Sequence, residues 1–397
     1  MRAFGILPLA LLVAGCGGGD GASPTSAVGP SVAPGPGVNM TLLAHLDTAT
    51  LASAVLDDHG HVHSMAAHGD GARLSHDEEI VLPNGAASGS GNWGYTSPDG
   101  RRRLALTGTS VGLSIVDVTD PARARNVGLV PGPQSTWREV KTFEHYAYVT
   151  TEAKHGLDIV DLSDPDRPRK VRTWDASFKS AHTLWIDAER RLLFANGAGD
   201  DGGRTGLHIV SLANPEDPEE ISRFTDYYVH DSFTRGDVLF ASAIFDGWQA
   251  LIDVSDPRRP RETSRFFTGR RFTHNAALTP DGRYLFTTDE RPDAPLEGWD
   301  LVDPLRPVKV SEYIARAGTI PHNVQVDGTR LLVAHYTEGV VLLDIRDPRA
   351  PRVLGSYDTY EGTESGFHGA WGAYLFPGTN LIVVSDIDGG LFVLRQN

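Results

Sequence analysis

The sequence predicts an all-β fold: a seven-bladed β-propeller closed by a strand from near its own N-terminus. Three observations carry this. A phrase of the form Gly-Leu-x-Ile-Val-Asp, ending in Asp-Pro or Asn-Pro, recurs down the chain; a second apolar run precedes each copy; and an N-terminal segment repeats the segment that follows the sixth copy.

The first fifteen residues have a charged start at Arg2, an apolar stretch from Phe4 to Val13 and a small-residue end at Ala14-Gly15. This is the layout of a signal peptide, too short to span a bilayer and remain there. The run Val13-Ala14-Gly15-Cys16 resembles the bacterial lipobox, which implies lipidation of Cys16 by diacylglycerol, export, and anchoring in a lipid bilayer. Gly17 in place of Asp implies the outer membrane or cell surface. An ordinary secretory signal is the alternative. Cys16 is the only cysteine, so no disulfide forms within the chain. Residues 16–39 are rich in Gly, Pro, Ser and Ala, a composition too poor in apolar groups to offset its ordering entropy, and they read as a flexible tether.

Residues 40–48 read as the closing strand, because Leu42-Leu43-Ala44-His45-Leu46-Asp47-Thr48 matches Val353-Leu354-Gly355-Ser356-Tyr357-Asp358-Thr359. The connector over 49–88 crowds Asp57, Asp58, His59, His61, His63, His68, Asp70, His76 and Asp77 among Gly and small residues. Such a tract takes up metals loosely and offers no fixed geometry.

The blades occupy 89–397. Clear copies of the phrase run Gly112–Pro121, Gly156–Pro165 and Gly206–Pro215; weaker ones end at Asp256-Pro257, Asp303-Pro304 and Asp347-Pro348, and the last, Gly390–Leu394, lies at the C-terminus. A β-branched apolar run suits a strand buried on both faces, and Asp-Pro ends it in a turn. Four short strands per unit of about 40 to 50 residues, without helical periodicity, is the signature of propeller blades.

Aligning the blades places Asn92, Arg138, His182, His230, His274, His322 and His368 at one position, the start of each first strand. First strands line a propeller's channel, so His182, His230, His274, His322 and His368 are expected to converge as metal ligands. Arg138 is expected either to hold an anionic group, paired with Glu139 or Glu152, or to repel a metal. Loops at the same end bring Glu152, Asp289, Glu290 and His335, which are candidate ligand-binding groups or partners that orient the rings. The expected cofactor is a divalent transition metal (zinc, copper, iron or nickel), or else none. The other reading is that the histidines recur only because blades duplicate. The tryptophans read as packing residues, with Trp248 a candidate for the channel rim.

The copies of Gly-Leu-x-Ile-Val-Asp-Val-Ser-Asp-Pro resemble the LVIVD-repeat proteins. The lipobox, Ser135-Thr-Trp-Arg-Glu-Val-Lys141 and Phe367-His-Gly-Ala-Trp371 resemble the choice-of-anchor B group among them. The resemblance implies an extracellular propeller and brings no enzymatic activity with it.

A net charge of −15 disfavours nucleic acid as a partner. No phosphate-binding glycine loop, nucleophile elbow or HExxH motif is present. Two functions remain. One is a surface-tethered module that binds a protein, glycan or small molecule at the histidine-lined mouth; the other is a metal-dependent oxidoreductase or lyase using those histidines.

Overall fold

The computed structural model describes residues 37–56, 62–64, 87–200 and 206–397. Cys16 and most of the acidic and histidine-rich connector lie outside these residues. The side chain of His63, in the short strand Val62–Ser64, also lies outside the description.

Seven antiparallel sheets form the blades of one propeller. Blade 2 shows the pattern: strands Arg138–Phe143, Tyr146–Thr151, Leu157–Asp161 and Arg169–Trp174 pair in sequence order from the channel outward. The apolar run in each copy of the phrase is its third strand. Leu157, Ile159 and Val160 are fully buried, as are Leu207, Ile209 and Val210 in blade 3, because both faces pack against neighbouring blades.

The structure also accounts for the rest of the phrase. Its opening glycine takes a positive φ in several blades, 122° at Gly156 and 94° at Gly390. A Cβ on Gly156 would meet the Trp174 carbonyl oxygen at 2.7 Å, so the fourth strand approaches too closely for any side chain. The first aspartate folds the turn by accepting the amide two residues on, as Asp161 does from Ser163 at 2.8 Å and Asp253 from Ser255 at 3.0 Å. The proline carbonyl then serves the preceding blade. Ser222 donates to Pro257 at 2.5 Å, Ser264 to Pro304 at 2.9 Å and Ser311 to Pro348 at 2.7 Å, each from a fourth strand to the next blade's turn.

Closure follows the expected route. Met40–Leu46 pairs antiparallel with Gly390–Gln396 and becomes the outer strand of blade 7. The connector holds more order than its composition suggests. After a short helix at Thr48–Leu51, the strand Ala54–Leu56 adds to the outer edge of blade 1, with Val55 opposite Leu129, and Val62–Ser64 pairs with it. The apolar residues Val55, Leu56 and Leu51, each at most 3% exposed, supply the burial that fixes this segment.

Replacing Leu46, buried against Leu391 and Leu51 at the closing seam, by alanine should cost about 2–5 kcal/mol in chemical denaturation. Leu42→Ala, on the same strand but 38% exposed, should stay within about 1 kcal/mol of the parent.

Candidate metal centre at the channel mouth

The ladder register fixes which residues share a level of the channel. Glu139, Thr183, Asp231, Asn275 and Gly372 sit opposite equivalent second-strand residues: Thr150, Asn196, Ser242, Thr288 and Ser385. Asn323 occupies the same place through its bond with Ala334. The position just before each is Arg138, His182, His230, His274, His322 and Trp371. In blade 7 the ring position therefore belongs to Trp371, three residues past His368.

Trp371 sits in a bulge between Ala370 and Gly372, matching the one that carries His274, so the two residues occupy equivalent places. His368 stays on the connection before the strand, stacked on Tyr360 and 3.1 Å from Asp388. It does not line the cavity.

His182, His230, His274 and His322 do converge. Successive ring centroids lie 4.3, 4.4 and 4.2 Å apart, lining one side of a cavity of about 220 Å³. His230 Nδ1 donates to the His274 carbonyl at 3.1 Å, and His322 Nδ1 donates to the Trp371 carbonyl. Backbone carbonyls can only accept, so both rings carry their proton on Nδ1 and keep the Nε2 lone pair. Glu290, from the second-to-third-strand connection of blade 5, places Oε1 3.6 Å from His322 Nε2 and 4.0 Å from His274 Nε2. One ligand atom from each of His274, Glu290 and His322 lies within 4.8 Å of the others, the one such group of three among the described residues.

Burial sets the protonation of this group. It drives His274 well below the usual imidazole range, helped by the neighbouring histidines, and pushes His322 down to about 3. Both are therefore neutral, as metal ligation requires. Burial raises Glu290, partly offset by the Tyr336 hydroxyl, which donates to Oε1 at 2.6 Å. Tyr336 adopts φ +40°, a conformation that a bulky residue rarely takes, at the turn bringing it into the cavity.

The remaining sequence candidates separate clearly. Glu152 lines the cavity, with Oε1 2.8 Å from His182 Nδ1. Asp289 does not line it. Its carboxylate accepts from Thr268, Arg270 N and Phe272 N, tying down the loop that carries Phe272 to the rim. His335 is buried behind Tyr336, outside the lining. Arg138, 1% exposed, turns away from the channel and donates to the Thr109 and Pro133 carbonyls at 3.0 and 2.7 Å. Burial lowers it to about 10, so it remains a cation but is not placed to meet a ligand. Asn92 donates to the Val383 carbonyl of blade 7.

Sequence reasoning took the tryptophans as packing residues and passed over the aromatic wall. Trp137 and Trp371 stack at 5.8 Å and line the cavity, as do Tyr228, Phe245 and Phe272. Phe245 and Phe367 stand 60% and 52% exposed on the rim. Trp248 packs instead among Tyr227, Phe267 and Arg265, away from the channel. Only the spacing of Trp371 from the blade 7 strands signalled its place, and a nearby histidine at blade spacing masked it.

Residues 137–175 and 321–359 match the LVIVD repeat family. The chain carries LVIVD repeats. They cover blade 2 and blade 6, and the other blades carry their own copies of the phrase, some as clear as these. No curated protein sequence matches the chain. Among solved structures it is similar to the hydrazine synthase of Kuenenia stuttgartiensis, at 13% identity and a TM-score of 0.56, covering 76% of this chain and 94% of that one. It is also similar to a putative 6-phosphogluconolactonase from Bacteroides fragilis, at 12% identity and a TM-score of 0.51, covering 69% and 84%. At such identities the likeness is one of fold alone.

Burial pushes His335 down to about 4, below the ordinary 6.5, so the unfolded chain binds a proton that the folded chain refuses between those values. Stability contributed by this residue is complete above pH 6.5 and should fall by about 3 kcal/mol as pH drops toward 4. Thermal unfolding of His335→Gln across that range should show a correspondingly shallower loss than the parent.

Proposed function

We propose that this LVIVD-repeat propeller is an extracytoplasmic binding module, held to a membrane through a lipid on Cys16. Its channel mouth would bind one divalent transition metal and present it to a protein, glycan or small-molecule ligand. The observation that carries the metal is the meeting of two neutral imidazoles, His274 and His322, with the Glu290 carboxylate in a cavity open to solvent. Two of the three have an outer partner suited to ligation: the Trp371 carbonyl on His322 and the Tyr336 hydroxyl on Glu290. Zinc, copper, iron and nickel all accept imidazole and carboxylate ligands, and three protein ligands leave a position open. Cys16, Gly17 and the tether composition support the membrane attachment.

A second reading, a metal-dependent oxidoreductase or lyase, is favoured by one observation. The Glu152–His182 pair lies in the same cavity, outside the triad, where it suits proton transfer to a ligand on the metal.

Elemental analysis of the full chain, in a background where His59, His61, His63, His68 and His76 are glutamine, should find about one tightly held metal per chain. The equivalent should be lost in His274→Ala/His322→Ala and kept in His368→Ala. Absence of a tight metal in the parent, or its survival in the double variant, overturns the assignment. Glu152→Gln should leave the stoichiometry unchanged, and loss of the metal there would place the Glu152–His182 pair among the ligands.

A further inference from the structure

Beneath the histidine level the channel holds a second cavity, of about 270 Å³, which opens toward the face bearing the first-to-second-strand hairpins. It shares no lining residue with the histidine cavity. Its walls combine Trp93, Trp185, Phe233, Leu278 and Val326 with four charged residues: Glu139 and Lys141 from blade 2 and Asp231 and Arg235 from blade 4. Sequence reasoning assigned none of these four to a site, apart from Glu139 as a partner for Arg138.

The charges are not paired evenly. Lys141 Nζ donates to Glu139 Oε1 at 2.9 Å and stands 4.5 Å from the centre of the Trp93 ring, with both members of the pair largely buried. The chain thus already seats one ammonium in this cavity, between a carboxylate and an aromatic face. Asp231 has no cation of its own among the described residues. Its carboxylate takes only the Ser232 amide at 2.7 Å and the Asn275 side-chain amide at 2.6 Å. Asn275 is itself held by the Val324 amide, which donates to its Oδ1 at 3.0 Å, so it cannot turn to neutralise the carboxylate further. Arg235, at the rim of the same lining, is exposed and donates to the Pro280 carbonyl.

We propose that this cavity binds a small organic amine, its ammonium paired with Asp231 and its apolar part against Trp185 and Phe233. A half-buried carboxylate with no ion pair of its own favours a cation, and an apolar wall of this size favours a carbon skeleton over a hydrated metal. The strain on Asp231 agrees: burial pushes it up to about 6, despite Lys141, with Glu139 adding to the rise. An amine would return it to the charged form.

Calorimetric titration of the full chain with benzylamine, and with benzyl alcohol as its neutral counterpart, tests this. Benzylamine should bind at least about tenfold more tightly than the alcohol. Its affinity should weaken as pH falls from about 7.5 to about 5 and Asp231 takes up a proton. Asp231→Asn should reduce it at least about tenfold, and His274→Ala should leave it unchanged, which separates this cavity from the metal centre. Lys141→Met removes the resident ammonium and should tighten amine binding, a gain that misfolding would not produce. Equal affinity for amine and alcohol, no benzylamine binding, or a loss caused by His274→Ala rather than Asp231→Asn would overturn the proposal.

Discussion

Ring closure rests on one ladder, in which Met40–Leu46 pairs with Gly390–Gln396 from the far end of the sequence. Each blade leans on its neighbour through apolar faces and through proline carbonyls that accept from the preceding outer strand, and neither contact is complete until the circle is. The channel levels depend on this in turn. Rings from four successive blades stack about 4 Å apart only because the blades are held at a constant rotation about one axis.

That rotation gives the channel its two chemistries. First strands alternate in facing, so adjacent positions along one strand supply the imidazole level and the carboxylate-and-amide level beneath it: His230 and Asp231, His274 and Asn275. Burial keeps the imidazoles neutral above and leaves Asp231 strained below. The departures from symmetry matter as much as the repetition. Trp371 in blade 7 and the outward-turned Arg138 in blade 2 open the histidine arc on one side, where the stacked pair Trp137 and Trp371 makes an apolar wall.

The fold was legible because its signals are local and repeated. Glycines demanded by a close fourth strand, aspartates that fold a turn and β-branched runs all recur once per blade, and the matching N-terminal segment gives away the closure. Four of the five histidines were legible for the same reason. His368 was not, because it too lies at blade spacing, and spacing alone cannot show which of several nearby residues enters the ladder. Arg138, Asp289 and His335 share the levels or loops expected of them, yet their side chains are consumed by backbone groups and packing. Whether a polar side chain faces a cavity or ties down its wall depends on neighbours hundreds of residues away, and Asp231 escaped notice for that reason: its lack of an ion pair among the described residues is a property of the assembled channel.

The closing ladder also sets a timetable for synthesis. Thr41 donates to Asn397 across 356 residues, so the strand Met40–Leu46 must wait for a strand made far later. Until then its edge and that of the opening blade stay unpaired, and loop-closure entropy opposes their meeting. A ribosome that stalls before Gly390–Gln396 therefore leaves an arc whose two exposed edges are free to join those of another such arc, so incomplete chains carry the greatest tendency to associate.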